Sequence, residues 1–410
     1  MNKKISLAFL LSSVFALAGC AKPISEMQET VNINDLNGGG TQTAYVLKGT
    51  TLKDLPCHKL GCNVDYYLDN LGERHELDET VASISEDAIL KPYYSIGPDF
   101  TYLSSNASEL HSMAKIRVMS YNVLSNDWNN KPQMHGYDAH NEKYPTGTSD
   151  GRDDQNKRTL LAYMPDVIGV QEFDDEFYDV MKKYHNEDDF PYRVVNENEK
   201  QYKLNGQNQT IYTTLMYNED RVTLHSWKHT RFQTADTNTN CRSYTYALFT
   251  LNETGEEFVV ISSHWNHLDS SKPDTPTREQ EQAIETANAY KELEEKYDCP
   301  IIAVGDMNQI DSHPSIKTLE DESGFKDAKY TARSRGICCD TYHIGNGDTT
   351  EPGKWYRGID SVLPELINTD EARDHIYLSQ NANSIYYTTV TTEDALNSSD
   401  HMPIFVDVAF

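Results

Sequence analysis

The sequence predicts a mixed α/β domain over 115–410, preceded by a small β-rich unit over 43–97. Three observations carry that expectation. From Lys115 onward, short apolar strand-like runs alternate with longer helical patterns, as expected when sheets and helices share a layered core. Between Thr43 and Ile96 the apolar runs are shorter and split by Gly, Asn and Asp turns. The 410 residues include 38% hydrophobic and 24% charged side chains, ordinary for a globular chain with room for one large domain and a smaller one.

Residues 1–20, MNKKISLAFLLSSVFALAGC, open with Lys3 and Lys4 and continue in an apolar run from Ile5 to Ala18, too short to span a bilayer comfortably. This is the pattern of an export signal. Its end, Leu17-Ala18-Gly19-Cys20, resembles the lipobox of bacterial lipoproteins, which implies a lipid on Cys20 and a place at the cell envelope, facing periplasm or exterior. The alternative is an ordinary export signal with a coincidental cysteine. No other apolar run is long enough to cross a membrane, so contact with one is expected only through the lipid.

Residues 21–42 are polar with Gly-Gly-Gly at 38–40 and read as a flexible tether. The 43–97 unit, with KGTTL, YYLD and DAILKPYY in order, is similar to small extracellular repeats of bacterial surface proteins; a plain spacer is the alternative. Residues 98–114 read as a linker. In the large domain the helical patterns run from Asp154 to Tyr163, Glu176 to His185 and Thr277 to Tyr297, the last rich in Glu, Gln and Ala.

Setting Cys20 aside leaves six of seven cysteines, an even number in a chain bound for an oxidising compartment. Cys57 and Cys62 are the best local pair for a disulfide. Cys338 and Cys339, being adjacent, suit Cys241 or Cys299 better than each other. No second Cys or His pair stands at zinc-finger spacing. The formal net charge of −28 slows the approach of polyanions, which counts against a general nucleic-acid binder without excluding a nuclease.

Six strand-like runs share one oddity: each brings a side chain able to bind metal or protons to a strand end. IRVMSYN reaches Asn122, PDVIGVQE ends on Glu172, FVVISSH ends on His264, and PIIAVGDMN ends on Asp306 and Asn308. RGIDSVL begins at Asp360 within its run, and SSDHMPIFVDV places Asp400 and His401 before the last strand. Singly each has a plain explanation, since Asp and Asn favour turns and caps and a lone His is usually structural. Together and in this order they resemble the endonuclease/exonuclease/phosphatase superfamily, of deoxyribonuclease-I-like fold, over almost all of 115–410.

That resemblance implies a four-layer architecture, two packed β-sheets flanked by helices, with the site where strand ends meet. It also implies roles. Glu172, Asn122 and Asp400 would hold Mg2+ or Mn2+, for which hard oxygen donors are suited. Asp306 would orient or deprotonate the attacking water, and Asn308 would donate to the phosphoryl group. His401, held by Asp360, would act as base or electrostatic clamp, while His264 would contact the phosphate or protonate the leaving group. Arg357, on the loop beside Asp360, is the substrate-binding candidate because its planar fork suits phosphate. Arg158 and Arg278 read as helix-surface residues paired with nearby acids.

The expected function is a metal-dependent phosphoesterase, with a phosphomonoester or small phosphodiester preferred to nucleic acid, because no Lys/Arg-rich stretch with interleaved aromatics marks a duplex reader. An extracellular nuclease is the enzymatic rival, and a non-catalytic surface-binding protein on the same fold is the other. No protein partner is evident. The long aromatic loop ICCDTYHIGNGDTTEPGKWYRGID is expected to shape the pocket, or else to be a surface loop without special role.

Overall fold

The structure, a computed structural model, describes residues 28–35, 40–55, 57, 62–97, 114–125, 151–187, 190–204, 207–234, 242–267, 276–342, 367–368 and 372–410. The small unit consists of β1 (Gln28–Asp35), β2 (Gly40–Leu47), β3 (Cys62–Leu68), β4 (Arg74–His75) and β5 (Ile89–Ile96), in the sheet order β2-β1-β5-β3-β4. The expectation of a flexible tether through residue 42 is therefore corrected. Val31 and Ile33 alternate with polar neighbours, pair with β2 and β5, and bury themselves beside Leu52, Tyr67 and Leu90.

The expected Cys57–Cys62 disulfide is corrected as well, since no bridge joins the two. They belong to different clusters: Cys57 lies in the small unit's own core, whereas Cys62 packs toward Tyr94, Ile337, Cys339 and Met402.

The large domain is built on two sheets. One holds β6 (Ile116–Asn122), β7 (Val167–Gln171), β8 (Tyr192–Val194), β11 (Thr214–Asn218), β17 (Ser334–Arg335), β19 (Asn383–Thr389) and β20 (Ile404–Ala409), ordered β17-β19-β20-β6-β7-β11-β8. The other holds β12 (Val222–Arg231), β13 (Ser243–Leu251), β14 (Glu257–His264), β15 (Ile301–Asp306), β16 (Lys326–Asp327) and β18 (Asp374–Leu378), ordered β12-β13-β14-β15-β18-β16. A separate ribbon pairs β9 (Gln201–Leu204) with β10 (Gln207–Thr210). The helices are α1 (Arg152–Tyr163), α2 (Asp175–Glu187), α3 (Pro276–Lys296), α4 (Pro314–Ser323), α5 (Ala328–Thr331) and α6 (Glu393–Ser398). The three helices expected from periodicity are present, with ends at most two residues away.

The layers follow from alternation along the strands. Val118, Val167 and Val406 face Val260, Ile302 and Val304 in the core between the sheets. Their sequence neighbours Met119, Ile168 and Phe405 pack outward with Leu160 of α1 and Phe177 of α2. On the far side Val259, Ile261 and Ile301 pack with Ala283, Ala287 and Tyr290 of α3 and Leu319 of α4. Both faces of the central strands are thus apolar, which is why the runs read as continuous hydrophobic stretches. Gly169 allows the sheets to approach, because a Cβ there would meet Val304 Cγ2 at 2.2 Å.

Two polar features fix the register of the ends. Arg117 donates to both Asp407 oxygens at 2.7 and 3.0 Å and to Tyr163 O at 2.9 Å, all fully buried. Breaking such a pair by truncating one partner costs about 3–5 kcal/mol. The small unit docks on the large domain through Asn368, whose amide accepts from Tyr94 N at 2.7 Å and donates to Tyr94 O at 2.9 Å, over the buried cluster of Tyr94, Ile337, Cys339, Ile367, Leu396 and Met402. Among the described residues no helix is long and apolar enough to cross a membrane.

Candidate active site

Strand register brings the chemical residues together. In one sheet His264 ends β14 opposite Asp306 of β15, and Asp306 stands opposite Asp374 of β18, so three ionisable side chains line up across one sheet end. In the other sheet Asn122 ends β6 beside Gln171, and Glu172 follows at once with φ of 60°. Asp400 and His401 precede β20, which pairs with β6. The two sheets present these ends to the same space.

Asp306 is its hub. Its Oδ2 accepts from Asn122 Nδ2 at 3.0 Å and lies 3.3 Å from His264 Nε2 and 3.8 Å from His401 Nε2, while Oδ1 accepts from Asn308 N at 2.8 Å. Burial alone would raise its pKa; His401, His264 and Arg242 more than reverse that and hold the carboxyl well below the usual range. Asn308, at φ of 53°, donates from Nδ2 to Trp265 O at 2.9 Å, which fixes the turn after β15.

His401 Nδ1 lies 2.8 Å from Asp374 Oδ2. A carboxylate only accepts, so Nδ1 carries the proton. Burial opposes charge on the ring, but Asp374, Asp306 and Asp400 outweigh it and raise His401 well above the ordinary histidine pKa, favouring the charged ring. The carboxylate expected from Asp360 is thus supplied by Asp374. Asp360, Arg357 and Cys20 lie outside the described residues.

Asp400 is buried and its pKa is pushed up to about 6, first by burial and then by the charge of Glu172, against the pull of His401 and Arg152. Glu172 Oε2 accepts from Ser125 N at 3.2 Å, and Oε1 lies 3.4 Å from Asn122 Nδ2 and 4.0 Å from His264 Nε2. Asn122 was expected as a metal ligand. As oriented it donates to Glu172 and Asp306, and its Oδ1 accepts from Leu124 N at 3.0 Å, so it aligns the carboxylates. Glu172 and Asp400 are the carboxylates that could offer hard oxygen donors there. Their mutual repulsion is the energy a divalent cation would remove, and the donor set fits Mg2+ or Mn2+.

Four further residues escaped sequence reasoning. Arg242 lies with Nη1 against His264 Nε2 and Nη2 3.4 Å from His267 Nδ1, and with burial it lowers the His264 pKa. Tyr342 sets its ring 5.1 Å from that of His401, with the Arg373 guanidinium 4.9 Å from the Tyr342 ring centre. Arg152 is fully buried and donates to Ser398 O and Val123 O at 2.9 and 2.7 Å, pinning the loops that carry Asp400 and Asn122. Asp374 is the fourth. Its signal was RDHIYLS, an Asp opening an apolar alternation as in RGIDSVL. Arg158 pairs with Asp394 on the surface at 2.6 Å, as expected for a helix-surface residue.

Residues 119–401 match the model of the endonuclease/exonuclease/phosphatase family, and the chain belongs to it. Among solved structures it is similar to the mannosyl-6-phosphatase of Bacteroides thetaiotaomicron VPI-5482, at 17% identity and TM-score 0.52 over 72% of this chain and 100% of that one. It is likewise similar to an endonuclease/exonuclease/phosphatase from Bacteroides vulgatus, at 17% identity and TM-score 0.51 over 72% of this chain and 98% of that one. At these identities the likeness establishes the deoxyribonuclease-I-like fold. No curated protein sequence matches the chain.

Proposed function

We propose that the chain is a divalent-metal-dependent phosphoesterase that hydrolyses phosphomonoesters or small phosphodiesters with an activated water, anchored at the bacterial cell envelope through lipid on Cys20. The observation that carries the reading is the geometry at the strand ends: the His401 ring, held by Asp374 at 2.8 Å, faces Asp306 at 3.8 Å beside the Glu172 and Asp400 carboxylates. Glu172 and Asp400 would hold the cation, which when bound would supply charge neutralisation at the phosphoryl oxygens.

The chain's own residues do the rest. A carboxylate held as acidic as Asp306 is a weak base, so it orients the attacking water more than it keeps the proton. His401, already protonated, clamps an anionic oxygen electrostatically; of the two roles expected for it, base or clamp, the charge favours the clamp. His264 has a lowered pKa and is neutral, which suits a hydrogen bond to phosphate better than protonation of a leaving group. Arg242 adds a fixed positive charge on the same side.

The net charge of −28 disfavours long polyanions, and a mannosyl-6-phosphatase among the similar folds is consistent with a phosphomonoester. The test is a panel of chromogenic phosphomonoester, bis-ester, plasmid DNA, RNA and sphingomyelin with and without EDTA. Phosphomonoester or bis-ester turnover that EDTA abolishes and Mg2+ or Mn2+ restores is expected. Dominant turnover of DNA or RNA would transfer the reading to a nuclease, and inertness toward every substrate with both metals would refute catalysis. In the same cells Cys20→Ser should move the protein from the membrane to the soluble fraction; unchanged sedimentation would remove the anchor.

A further inference from the structure

Tyr342 stands beside the site with no part in the chemistry described so far. Its segment is firmly held. Thr341 O accepts from Met402 N at 2.8 Å, and Tyr342 N donates to Asp340 Oδ1 at 3.1 Å. Arg373 Nη1 in turn grips Asp340, 3.1 and 3.3 Å from its two oxygens, while the guanidinium lies 4.9 Å from the Tyr342 ring centre. The backbone then aims the side chain. Tyr342 forms an isolated antiparallel bridge with His401, and two residues facing each other in such a bridge project from the same side. The two rings accordingly lie 5.1 Å apart at 59°. Because His401 Nε2 faces Asp306, the phenol is carried toward the same space.

Among the described residues none hydrogen-bonds the Tyr342 hydroxyl, and it is not one of the buried polar atoms left without a partner, so it reaches solvent. Charge nevertheless surrounds it. Burial first, and then the Asp400 carboxylate, raise its pKa; Asp306 and Glu172 add to the rise against the pull of Arg373. Those three acids are the ones that converge on the candidate site. A phenol with its ordinary pKa near about 10 already carries its proton at neutral pH, so the group is a donor there. A lysine in its place would be drawn into ion pairs with the three acids. A neutral hydroxyl that bonds none of them is available to an acceptor brought in from outside.

We propose that Tyr342 is a substrate-binding residue whose hydroxyl donates a hydrogen bond to a non-bridging phosphoryl oxygen, on the side of the site where the His401 ring lies. The proposal rests on the phosphoesterase reading and adds to it a residue that grips the phosphoryl group itself. A hydrogen bond to a charged oxygen is worth about 10- to 100-fold in affinity. Because Tyr342 is fixed by its backbone and by the Asp340–Arg373 pair, little ordering is needed when the ligand arrives.

The test removes the hydroxyl and keeps the ring. Full-length wild type and Tyr342→Phe are compared in melting temperature, in kcat/KM for a chromogenic phosphomonoester, and in affinity for inorganic phosphate in excess Mg2+ by isothermal calorimetry. Tyr342→Phe should melt with the wild type, since no hydrogen bond within the protein is lost, and should lower both kcat/KM and phosphate affinity by about 10- to 100-fold with an unchanged Mg2+ requirement. Wild-type kcat/KM and phosphate affinity in Tyr342→Phe would overturn the proposal and leave the ring as packing for His401. A raised Mg2+ requirement with unchanged phosphate affinity in excess metal would also overturn it, by giving the hydroxyl to Asp400. If the wild type hydrolyses no phosphoester, the phosphoesterase reading fails, and the phosphate titration still decides Tyr342: weaker binding in Tyr342→Phe upholds the contact, whereas equal binding, or none in the wild type, overturns it.

Discussion

Asp374 illustrates what a single residue decides. It accepts from His401 Nδ1 at 2.8 Å, and without that carboxylate the buried ring would lose its principal stabilising charge. Asp374→Asn should therefore lower turnover by a factor on the order of 100 to 10,000 with the melting temperature nearly kept, because the isosteric amide fills the same space but no longer supports the imidazolium. Wild-type turnover in Asp374→Asn together with collapse in Asp360→Asn would return the role to Asp360. The family resemblance assigns the role to Asp360 through RGIDSVL and passes over RDHIYLS, which has the same one-dimensional form. The pairing of Asp306 with Asp374 across β15 and β18 separates them, and register is a property of two strands. Asn122, Glu172, His264, Asp306, Asn308, Asp400 and His401 were legible because each closes or precedes its own apolar run. Arg242 and Tyr342 were not, since one reaches the site by lying across the β13–β14 hairpin from His264 and the other by an isolated bridge to His401.

At the scale of elements, β18 holds the site on one face and a charged anchor on the other. His375, next to Asp374, points the opposite way, with Nε2 2.9 Å from Gln309 O and Nδ1 3.2 Å from Asp327 Oδ2. Both partners accept, so both ring nitrogens donate and the ring is charged. It ties β18 to the loop that carries Asn308 and to Asp327, the N-cap of α5. Burial lowers the His375 pKa, but Asp327 and Asp311 more than compensate and bring it up to about 9. A folded-state pKa above the unfolded 6.5 means this stabilisation is complete below about pH 6.5, declines from there, and is lost above about pH 9. Urea midpoints measured between pH 6 and 9.5 should fall more steeply for wild type than for His375→Gln; parallel curves would show that the ring is neutral. Helices were readable from their period, whereas β1 was not. Val31 and Ile33 are its only apolar alternation beside a triple glycine, and it is pairing with β2 and β5 that makes them a strand.

Across the whole molecule, the small unit is joined to the large domain just behind the candidate site. The shared cluster includes Met402, whose N donates to Thr341 O at 2.8 Å, and Thr341 Oγ1 accepts from the backbone N–H groups of Arg373 and Asp374, both at 3.2 Å. The docking surface and the residues that hold His401 are thus parts of one packed region. The four-layer body was legible only through the family resemblance, because periodicity alone cannot assign strands to one sheet or the other. The reading of the whole chain rests on metal-assisted hydrolysis at the junction of the two sheets. The most direct test is the Mg2+ dependence of phosphomonoester turnover per folded molecule in wild type, Glu172→Ala and His401→Ala. Glu172→Ala should need more Mg2+ and recover part of its activity in excess, while His401→Ala should remain lower by a factor on the order of 100 to 10,000 at every concentration. A folded His401→Ala protein with wild-type turnover and unchanged Mg2+ dependence would contradict it.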